Sequence, residues 1–358
     1  WEYNSLGQLI CFTDAAGQST EYQYRAGQRV LIRHPDKTEE RFTYDAEGRL
    51  LAHVDGLDRC TSWRYTAAGL VAERVDATEQ TLRYRWDRLG RLTALENENQ
   101  QRVQFEYDPV GRLLHETGFD GRSKHDRYDT ETGRLASIRD GERLTEFQFD
   151  PMNRMISRLA TQGSESQAET FAYDGNGNLV LASNDQSRLQ WFHDPAGNLL
   201  REHQHFLGLE KPSVAIWRHE YDALNQRVAT LRPDGHRVSW LTYGSGHLLG
   251  MRLDEHDLIG FERDDLHREV ARHQGNHLLQ TQQWDPAGRL QEQLLGRADD
   301  KRTVLKREYQ YDAAGQLRGI DDTRRGTLAY QYDPVGRLLQ ASSRLGVETF
   351  AFDPAGNL

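Results

Sequence analysis

The chain reads Tyr107-Asp108-Pro109-Val110-Gly111-Arg112-Leu113-Leu114, and the same eight residues return at positions 332–339. Asp followed by Pro, any residue and Gly is typical of a type I turn, because Asp accepts local amide hydrogen bonds and Pro restricts φ. Gly supplies the left-handed residue that lets such a turn close a hairpin with a bulge. The Tyr before the turn and the Arg-Leu-Leu after it belong to the two strands being joined. The stretch predicts a β-hairpin corner.

Looser copies of this stretch fill the chain. The aromatic residue that opens each copy recurs mostly in steps of 20 to 22 residues, which gives about 17 repeats of about 21 residues over residues 1–358. A glycine follows four residues later in most repeats, and Asn153 and Asn225 take its place in two others. Asn tolerates positive φ well, so this exchange indicates a backbone requirement. His267 breaks the rule, and we expect an irregular turn there.

A second turn lies about half a period further on, for example at Asp14–Gly17, Asp120–Gly121 and Pro233–Gly235. Each repeat therefore holds two strands of about five to seven residues, joined by turns at alternating ends. Aromatic residues two positions apart, such as Phe105 and Tyr107, point to one face of a strand. We expect these aromatics to stack across neighbouring strands and to form the core.

Some thirty strands spaced about 4.8 Å apart make a ribbon on the order of 150 Å long. Open sheets rarely exceed about ten strands without curling, so we expect the ribbon to coil and to bury its edges against its own next turn. Longer insertions near 162–168, 203–215 and 296–304 interrupt the rhythm. We interpret them as longer hairpin tips. The middle insertion, at 203–215, carries several apolar residues. For this insertion, packing contact with a neighbour or cargo is an equal alternative to an idle loop.

The composition favours a thin sheet with one wet face, since hydrophobic residues make up 37% of the chain and mean hydropathy is −0.82. A net charge of −10, with basic residues spread evenly, argues against a nucleic-acid or anionic membrane partner. No apolar run is long enough to span a membrane. Cys11 and Cys60 are expected to be small buried hydrophobes. Because the chain starts at Trp1 and stops inside a motif, we expect a segment of a longer protein.

Repeats such as Tyr44-Asp45-Ala46-Glu47-Gly48-Arg49-Leu50 and Trp284-Asp285-Pro286-Ala287-Gly288-Arg289-Leu290 resemble the YD repeats of Rhs proteins, and the resemblance covers essentially the whole chain. In that family the repeats build a hollow β-shell, or β-cocoon, around a C-terminal toxin. Related shells occur in insecticidal Tc toxins and in teneurins. The resemblance implies an all-β fold, in which a YD-repeat hairpin ribbon coils into a spiral shell, here a partial, open segment.

The resemblance also implies a function: a structural shell segment of an Rhs polymorphic toxin, which encapsulates a C-terminal toxic domain for delivery to competitor cells. The implied partners are that toxin domain and the remaining shell repeats, with a secretion-system spike and a chaperone reached through regions outside this chain. No nucleic-acid partner and no direct membrane contact are implied. Such a protein is cytoplasmic in its producer and then secreted by a non-classical route, type VI secretion. The alternative is a secreted or surface YD-repeat adhesin that binds carbohydrate.

We assign no catalytic residue, no cofactor-binding residue and no metal ligand, and the family's self-cleavage site has no counterpart here. Asp recurs at the first position of the turns, which turn geometry explains. The run Asp174–Asn178 has the opening spacing of a calcium loop, but Asp185 stands where Glu is expected, so an ordinary hairpin turn is predicted.

Two histidine pairs and one serine were also considered as sites. His203 with His205, and His273 with His277, are interpreted as surface residues, because no cysteine or helix supports a metal site. The run Gly244–Gly246 lacks the spacing of a nucleophile elbow. The chain is therefore predicted to be neither an enzyme nor a cofactor-binding protein.

Overall fold

The structure, a computed structural model, describes residues 1–299 and 302–358. These residues form β-strands and tight turns without a helix, so the prediction of an all-β chain is confirmed. The strands are β1 (Glu2–Tyr3), β2 (Leu9–Thr13), β3 (Ser19–Arg25), β4 (Gln28–Arg33), β5 (Glu39–Tyr44), β6 (Leu50–Val54), β7 (Cys60–Tyr65), β8 (Val71–Val75), β9 (Thr81–Trp86), β10 (Leu92–Glu96), β11 (Arg102–Tyr107), β12 (Leu113–Thr117), β13 (Ser123–Tyr128), β14 (Leu135–Asp140), β15 (Arg143–Phe149), β16 (Met155–Gln162), β17 (Glu165–Tyr173), β18 (Leu179–Ser183), β19 (Ser187–His193), β20 (Leu199–Phe206), β21 (Ser213–Tyr221), β22 (Arg227–Leu231), β23 (Arg237–Tyr243), β24 (His247–Leu253), β25 (His256–Arg263), β26 (Glu269–Gln274), β27 (Leu278–Trp284), β28 (Leu290–Arg297), β29 (Thr303–Tyr311), β30 (Leu317–Asp322), β31 (Gly326–Tyr332), β32 (Leu338–Ser343) and β33 (Gly346–Thr349).

The chain divides into two compact units. Unit 1 consists of residues 1–102 and 261–358, and unit 2 of residues 103–260. In unit 1 each strand from β1 to β10, and again from β26 to β33, pairs antiparallel with the next. The strands from β11 to β25, which account for unit 2, pair in the same way. The predicted two strands per repeat are therefore confirmed.

The left-handed residue of the repeat turn lies where the sequence predicts it. Gly111 has φ of 94°, Gly336 has φ of 92°, and the substitutes Asn153 and Asn225 have φ of 66° and 61°. The expectation of an irregular turn at His267 is wrong, because its φ is 60° and its amide donates to the Asp264 carbonyl at 2.9 Å as in the other turns. Hydrogen bonds to the Asp264 side chain hold this turn despite the strain of a Cβ at positive φ.

Among the described residues, the repeated aromatic pairs do not stack on one another across neighbouring strands as expected. Each pair lies on one strand of a two-strand repeat, so equivalent pairs are about 10 Å apart, beyond ring contact. The neighbouring strand places other residues opposite them: Phe105 pairs with Glu116, and Tyr330 with Ala341. The residues of successive repeats are linked by a different contact, described below.

The antiparallel sheet, called the wall below, has little interior. Apolar residues that are fully buried number five among those described, and all are small: Ala94, Val103, Ala160, Ala229 and Ala271. No large side chain is completely buried in the described residues. Most aromatic residues are half-buried, and Trp1, Tyr3, Phe119, Phe192 and Phe206 are exposed. The expectation that the aromatic residues form a core is therefore wrong, because a single layer has nothing to cover its second face.

The first two insertions are longer hairpins, as interpreted from the sequence. Strands β16 and β17 remain paired to Gln162 and Glu165, and β20 and β21 to Phe206 and Ser213. The loop after β20 folds back onto the turn between β18 and β19, since the amides of Leu207 and Gly208 both donate to the carbonyl of Gln186. The third insertion extends β28 and β29, but its residues 300 and 301 lie outside the described residues.

Candidate functional site

The repeat turn is organised by its aspartate. Asp108 Oδ1 accepts hydrogen bonds from the amides of Val110 at 3.0 Å and Arg112 at 2.8 Å, and Oδ2 accepts Arg112 Nε at 2.6 Å. The Gly111 amide donates to the Asp108 carbonyl at 3.0 Å and completes the turn. Burial raises the pKa of Asp108, but these hydrogen bonds and the guanidinium outweigh it and leave the pKa below its ordinary value. The Asp108 carboxylate is ionised and both of its oxygens accept hydrogen bonds within the turn, which suits a structural role.

The arginine that closes the turn joins one repeat to the next. Arg112 Nη1 donates to the Gly133 carbonyl at 3.2 Å, and its guanidinium lies 4.5 Å from the ring centroid of Tyr128. Arg154 reaches the Asp174 carbonyl at 3.2 Å and the ring of Tyr173 at 4.8 Å in the same way. The arginine thus binds its own aspartate, the following turn and the following aromatic ring.

This arginine recurs along the wall, with its guanidinium 5.0 to 5.6 Å from the next ring in the pairs Arg49–Tyr65, Arg268–Trp284, Arg289–Tyr311 and Arg337–Phe352. From its position in the sequence this arginine was expected only to belong to a strand. The signal was present, because Arg follows the left-handed turn residue in eight repeats, at Arg49, Arg91, Arg112, Arg134, Arg154, Arg268, Arg289 and Arg337. In the structure strand β12 starts one residue later, at Leu113, and the arginine belongs to the turn.

In seven repeats, the Tyr or Trp at the end of the first strand binds back to the preceding repeat. Tyr65 donates its hydroxyl to the Leu50 carbonyl at 2.7 Å, and Tyr311 donates to the Leu290 carbonyl at 2.9 Å. Trp86 Nε1 makes the same contact with the Val71 carbonyl at 2.7 Å. A side chain with a polar tip is needed for this bond, which explains why Tyr and Trp predominate over Phe at this position.

Unit 1 contains a seam, where the repeat turns of its second segment lie against the second turns of its first segment. Arg289 Nη2 forms an ion pair with Asp36 Oδ2 at 2.9 Å. Two further hydrogen bonds cross the seam, from Arg59 to Gln316 at 2.9 Å and from Asn99 to Asp353 at 2.7 Å. The partners are 253 to 257 residues apart in the chain. The expectation that the ribbon buries an edge against another coil of itself is confirmed within unit 1.

The backbone also approaches closely at the seam. A Cβ added to Gly56 would lie far inside van der Waals distance of the Ala313 carbonyl oxygen. Gly56 does not have positive φ, so the glycine is required here by space and not by backbone conformation.

Two cavities of about 370 and 420 Å³ line the seam and share His53, Asp55 and Arg59. In the first, Glu40 accepts hydrogen bonds from His34 Nε2 and His53 Nε2, each at 2.7 Å. Burial raises the pKa of Glu40, but the two histidines outweigh it and leave the pKa below its ordinary value. The other carboxylates of this first cavity, Asp36 and Asp55, form ion pairs with Arg289 and Arg59.

The residues that were considered as a calcium loop or a nucleophile elbow lie in turns between strands. Asp174 holds a repeat turn through the Asn176 and Asn178 amides at 2.9 and 2.8 Å, so the prediction of an ordinary turn there is confirmed. Gly244 and Gly246 lie in the turn between β23 and β24. Within residues 1–299 and 302–358, no three His, Cys, Asp or Glu side chains are placed to hold a metal ion.

The histidine and cysteine predictions need corrections. His273 is exposed, as interpreted from the sequence, and its ring binds Glu262 at 2.7 Å. His203 and His205 were also expected at the surface, but both are half-buried, because the insertion extends β20. Their rings lie 6.0 Å apart. Burial, followed by the charge of Arg201, lowers the pKa of His203. Both cysteines are free thiols, but Cys60 is exposed and Cys11 only half-buried, since a one-layer wall offers little buried volume.

Comparison with known proteins agrees with this repeat geometry. The family described as Teneurin YD-shell matches residues 1–123, and the family described as RHS Repeat matches residues 311–348. The chain belongs to the Rhs/YD-repeat family. Within the part of this YD-repeat chain that the structure describes, no helix has the length and apolar character needed to cross a membrane.

Two relatives of this YD-repeat chain are named toxins. Double-stranded DNA deaminase toxin A of Burkholderia cenocepacia is 31% identical over 411 residues, which covers 100% of this chain and 28% of the relative. Toxin protein Tse5 of Pseudomonas aeruginosa is 39% identical over 207 residues, which covers 55% of this chain and 15% of the relative. The YD-repeat chain thus spans less than a third of the length of either relative.

Solved structures show the same fold. The TcdB2-TccC3 structure superposes with a TM-score of 0.84 at 16% identity, covering 96% of this chain and 21% of that one. A mutant Photorhabdus luminescens Tc holotoxin pore gives a TM-score of 0.76 at 15% identity, covering 95% and 23%. The YD-repeat ribbon therefore has the fold of a region within these Tc toxin proteins.

Proposed function

We propose that this chain is a wall segment of a toxin shell, which encloses a C-terminal toxic domain for delivery to competitor cells. The observation that carries the proposal is the seam of unit 1, where rows of turns 253 to 257 residues apart lie edge to edge. Rows of turns that pack on each other leave no gap along the seam through which an enclosed polypeptide could pass. Both relatives are named toxins, which favours a toxin shell over a carbohydrate-binding adhesin.

The proposed mechanism is steric. Aspartates such as Asp108 are ionised and committed to turns, so they are poor proton donors, and we infer that the wall carries no catalytic activity of its own. The toxic activity then belongs to a separate domain of the full protein. That domain and the remaining shell repeats are the proposed partners, with a secretion-system spike and a chaperone bound elsewhere.

The proposed route follows from the same family. The full protein is cytoplasmic in the producing cell and leaves it by type VI secretion, without nucleic-acid binding or direct membrane contact by this segment. The wall keeps the toxin away from the producer's cytoplasm until delivery.

The experiment that tests the proposal is limited proteolysis of the full-length parent protein with an inactivated toxin, with and without deletion of residues 107–148. The deletion removes two repeats and preserves the phase of the turns, since Phe149 then takes the place of Tyr107. We expect the shortened wall to expose the toxin domain to protease. A toxin domain that stays equally protected, and equally harmless to its producer when active, would show that these repeats are not a container.

A further inference from the structure

A patch of unit 2 gathers positive charge on one face of the sheet. The register of β19, β20 and β21 places Arg201 opposite Arg218 and His205 opposite Arg188, with His203 between Arg201 and His205 on the same strand. Residues opposite each other, and residues two or four apart on one strand, share a face of the sheet. These five residues therefore form one surface, called the cationic patch below. The sequence alone does not show it, because strand pairing brings the three arginines together.

The arginines of the cationic patch have no ion-pair partner among the residues that the structure describes. The buried atoms Arg201 Nε and His203 Nε2 also lack a hydrogen-bond partner there. The guanidinium of Arg201 lies 4.2 Å from the ring centroid of Phe192, which offsets its charge only in part. Burial, followed by the neighbouring positive charges, lowers the pKa of His203. The carboxylate of Glu220, on the same face, is bound by Arg237 at 2.7 Å.

A ladder of charges on β7 to β11 in unit 1 shows how such residues are paired elsewhere. Arginine and glutamate alternate across these strands, and the ion pairs of the ladder are 2.9 to 3.3 Å long. In strand order the ladder consists of Arg64, Glu73, Arg83, Glu96 and Arg102. A partly buried charge without such a partner lowers stability. The cationic patch is therefore explained by a ligand that brings the opposite charge.

Apolar side chains lie among the charges of the cationic patch. Phe192, Ile216 and Val214 each lie directly opposite one of its residues on β20. Phe192 is 37% exposed and Val214 is 48% exposed. The insertion at 203–215 lengthens β20 and β21 and so supplies part of this surface. A ligand that fits the surface carries both negative charge and an apolar group.

We propose that the cationic patch binds an extended acidic segment of a partner polypeptide, with two carboxylate side chains four residues apart and an apolar side chain midway between them. The spacing follows from the patch, because His205, opposite Arg188, lies four residues and about 13 Å beyond Arg201 along the strand. An extended segment with the same rise places both carboxylates against arginines, whose planar guanidinium groups bind carboxylates well. Its apolar side chain then contacts Ile216. The net charge of −10 disfavours a longer polyanion such as a nucleic acid.

The test is peptide binding to this 358-residue chain, measured by fluorescence anisotropy at low ionic strength. The probe is a labelled peptide with glutamate at its second and sixth positions, leucine at the fourth and serine elsewhere. One control probe carries glutamine in place of both glutamates, and another carries the two glutamates side by side. We expect Arg201→Gln combined with Arg218→Gln to weaken binding of the probe about tenfold or more. Arg64→Gln, which removes an exposed arginine of the ladder, should leave the affinity unchanged.

Thermal melts without peptide separate a binding role from a structural one. Arg83→Gln removes two ion pairs of the ladder, so it should lower the thermal midpoint. Arg201→Gln removes none and should lower the midpoint less. A fall as large as that of Arg83→Gln would overturn the proposal, by showing that Arg201 supports the fold.

Unchanged affinity in the double variant would also overturn the proposal, as would equal binding of either control probe. A labelled oligothymidylate that binds more tightly than the peptide would replace the acidic segment with a nucleic acid. Probe binding that disappears as the protein concentration rises would identify a second copy of this chain as the occupant. These outcomes do not depend on whether the wall encloses a toxin, which the proteolysis of the parent protein tests separately.

Discussion

Two copies of one octapeptide, at 107–114 and 332–339, have the same turn and different surroundings. The hydrogen bonds of Asp108 and Asp333 to their arginine amides are 2.8 and 2.9 Å, and those to the arginine Nε are 2.6 and 2.5 Å. Yet a Cβ on Gly111 would meet nothing within 4 Å, whereas one on Gly336 would lie 2.8 Å from Gln316 Nε2. The turn is thus dictated by local sequence, and its neighbours by its position along the coil.

The largest effect should come from removing the aspartate, and it should be the same in both copies. Asp108→Ala and Asp333→Ala each remove a buried carboxylate that accepts three hydrogen bonds, so we expect a fall in the thermal midpoint on the order of 5 °C. Asp→Asn at either position should be milder, because Asn4 and Asn97 already accept the two turn amides elsewhere. If Asn proves as damaging as Ala in thermal melts, the turn depends on the ion pair and not on these amides.

The seam can be broken without touching a repeat turn. Gly56→Ala pushes a Cβ into the Ala313 carbonyl, and we expect it to destabilise unit 1 by about 1 kcal/mol and to open the seam. Gly175→Ala is the matched control, since Gly175 also holds the second turn position without positive φ and has nothing within 4 Å of an added Cβ.

Hydrogen exchange of the turns at 34–38 and 312–316 measures the opening of the seam. Faster exchange is expected for Gly56→Ala alone. Identical exchange in both variants would mean that the two segments of unit 1 adjust to the added methyl group, and that the seam is looser than its contacts imply.

A smaller effect is expected at the left-handed glycine. Gly111→Val strains the turn by about 1 kcal/mol or more, and Gly111→Asn should cost less, because Asn153 and Asn225 adopt this conformation in the wall. Gly336→Asn should cost slightly more than Gly111→Asn, since Gln316 must move aside. Denaturant melts of these three variants measure the differences; equal losses for Gly111→Val and Gly111→Asn would contradict a backbone origin.

The smallest effect concerns acid. Burial raises the pKa of Asp322, but Arg307 and the amides of Arg325 and Arg324 lower it from 3.8 to about 2. A carboxyl whose pKa is lowered by folding stabilises the fold above its unfolded pKa, and this contribution is lost as pH falls through the folded pKa. We expect the thermal midpoint to fall between about pH 4 and pH 2, and to fall less steeply in Asp322→Asn. Parallel curves for both proteins would assign the acid loss to other carboxylates.

The sequence was sufficient to predict what is encoded within one repeat. The turn, its left-handed residue and the two strands per repeat follow from spacing and from the chemistry of Asp, Gly and Asn, and the structure confirms them. His267 was mispredicted because residue preference was treated as a requirement, although the Asp264 side chain stabilises the same turn around an unfavourable residue.

Contacts between repeats were harder to predict. The aromatic pairs suggested stacking, but alternation of strands separates them, and the contact is made by arginines such as Arg112 that were assigned to a strand. The seam was expected in kind, yet its partners could not be named. Asp36 and Arg289 meet although 253 residues separate them, and no local sequence pattern identifies partners at that separation.

The arginine links have a mechanical consequence. Each repeat is held mainly by its two neighbours, through the strand ladder, the guanidinium and the aromatic hydroxyl, so a pulling force at one end loads one repeat at a time. We expect the repeats of such a ribbon to detach one after another at low force, because few hydrogen bonds break in each step. The seam opposes sliding of the two segments of unit 1 past each other, since its ion pair and its close backbone contact would have to break at the same time. We therefore expect a wall built this way to yield most easily when it is drawn along its length from an end.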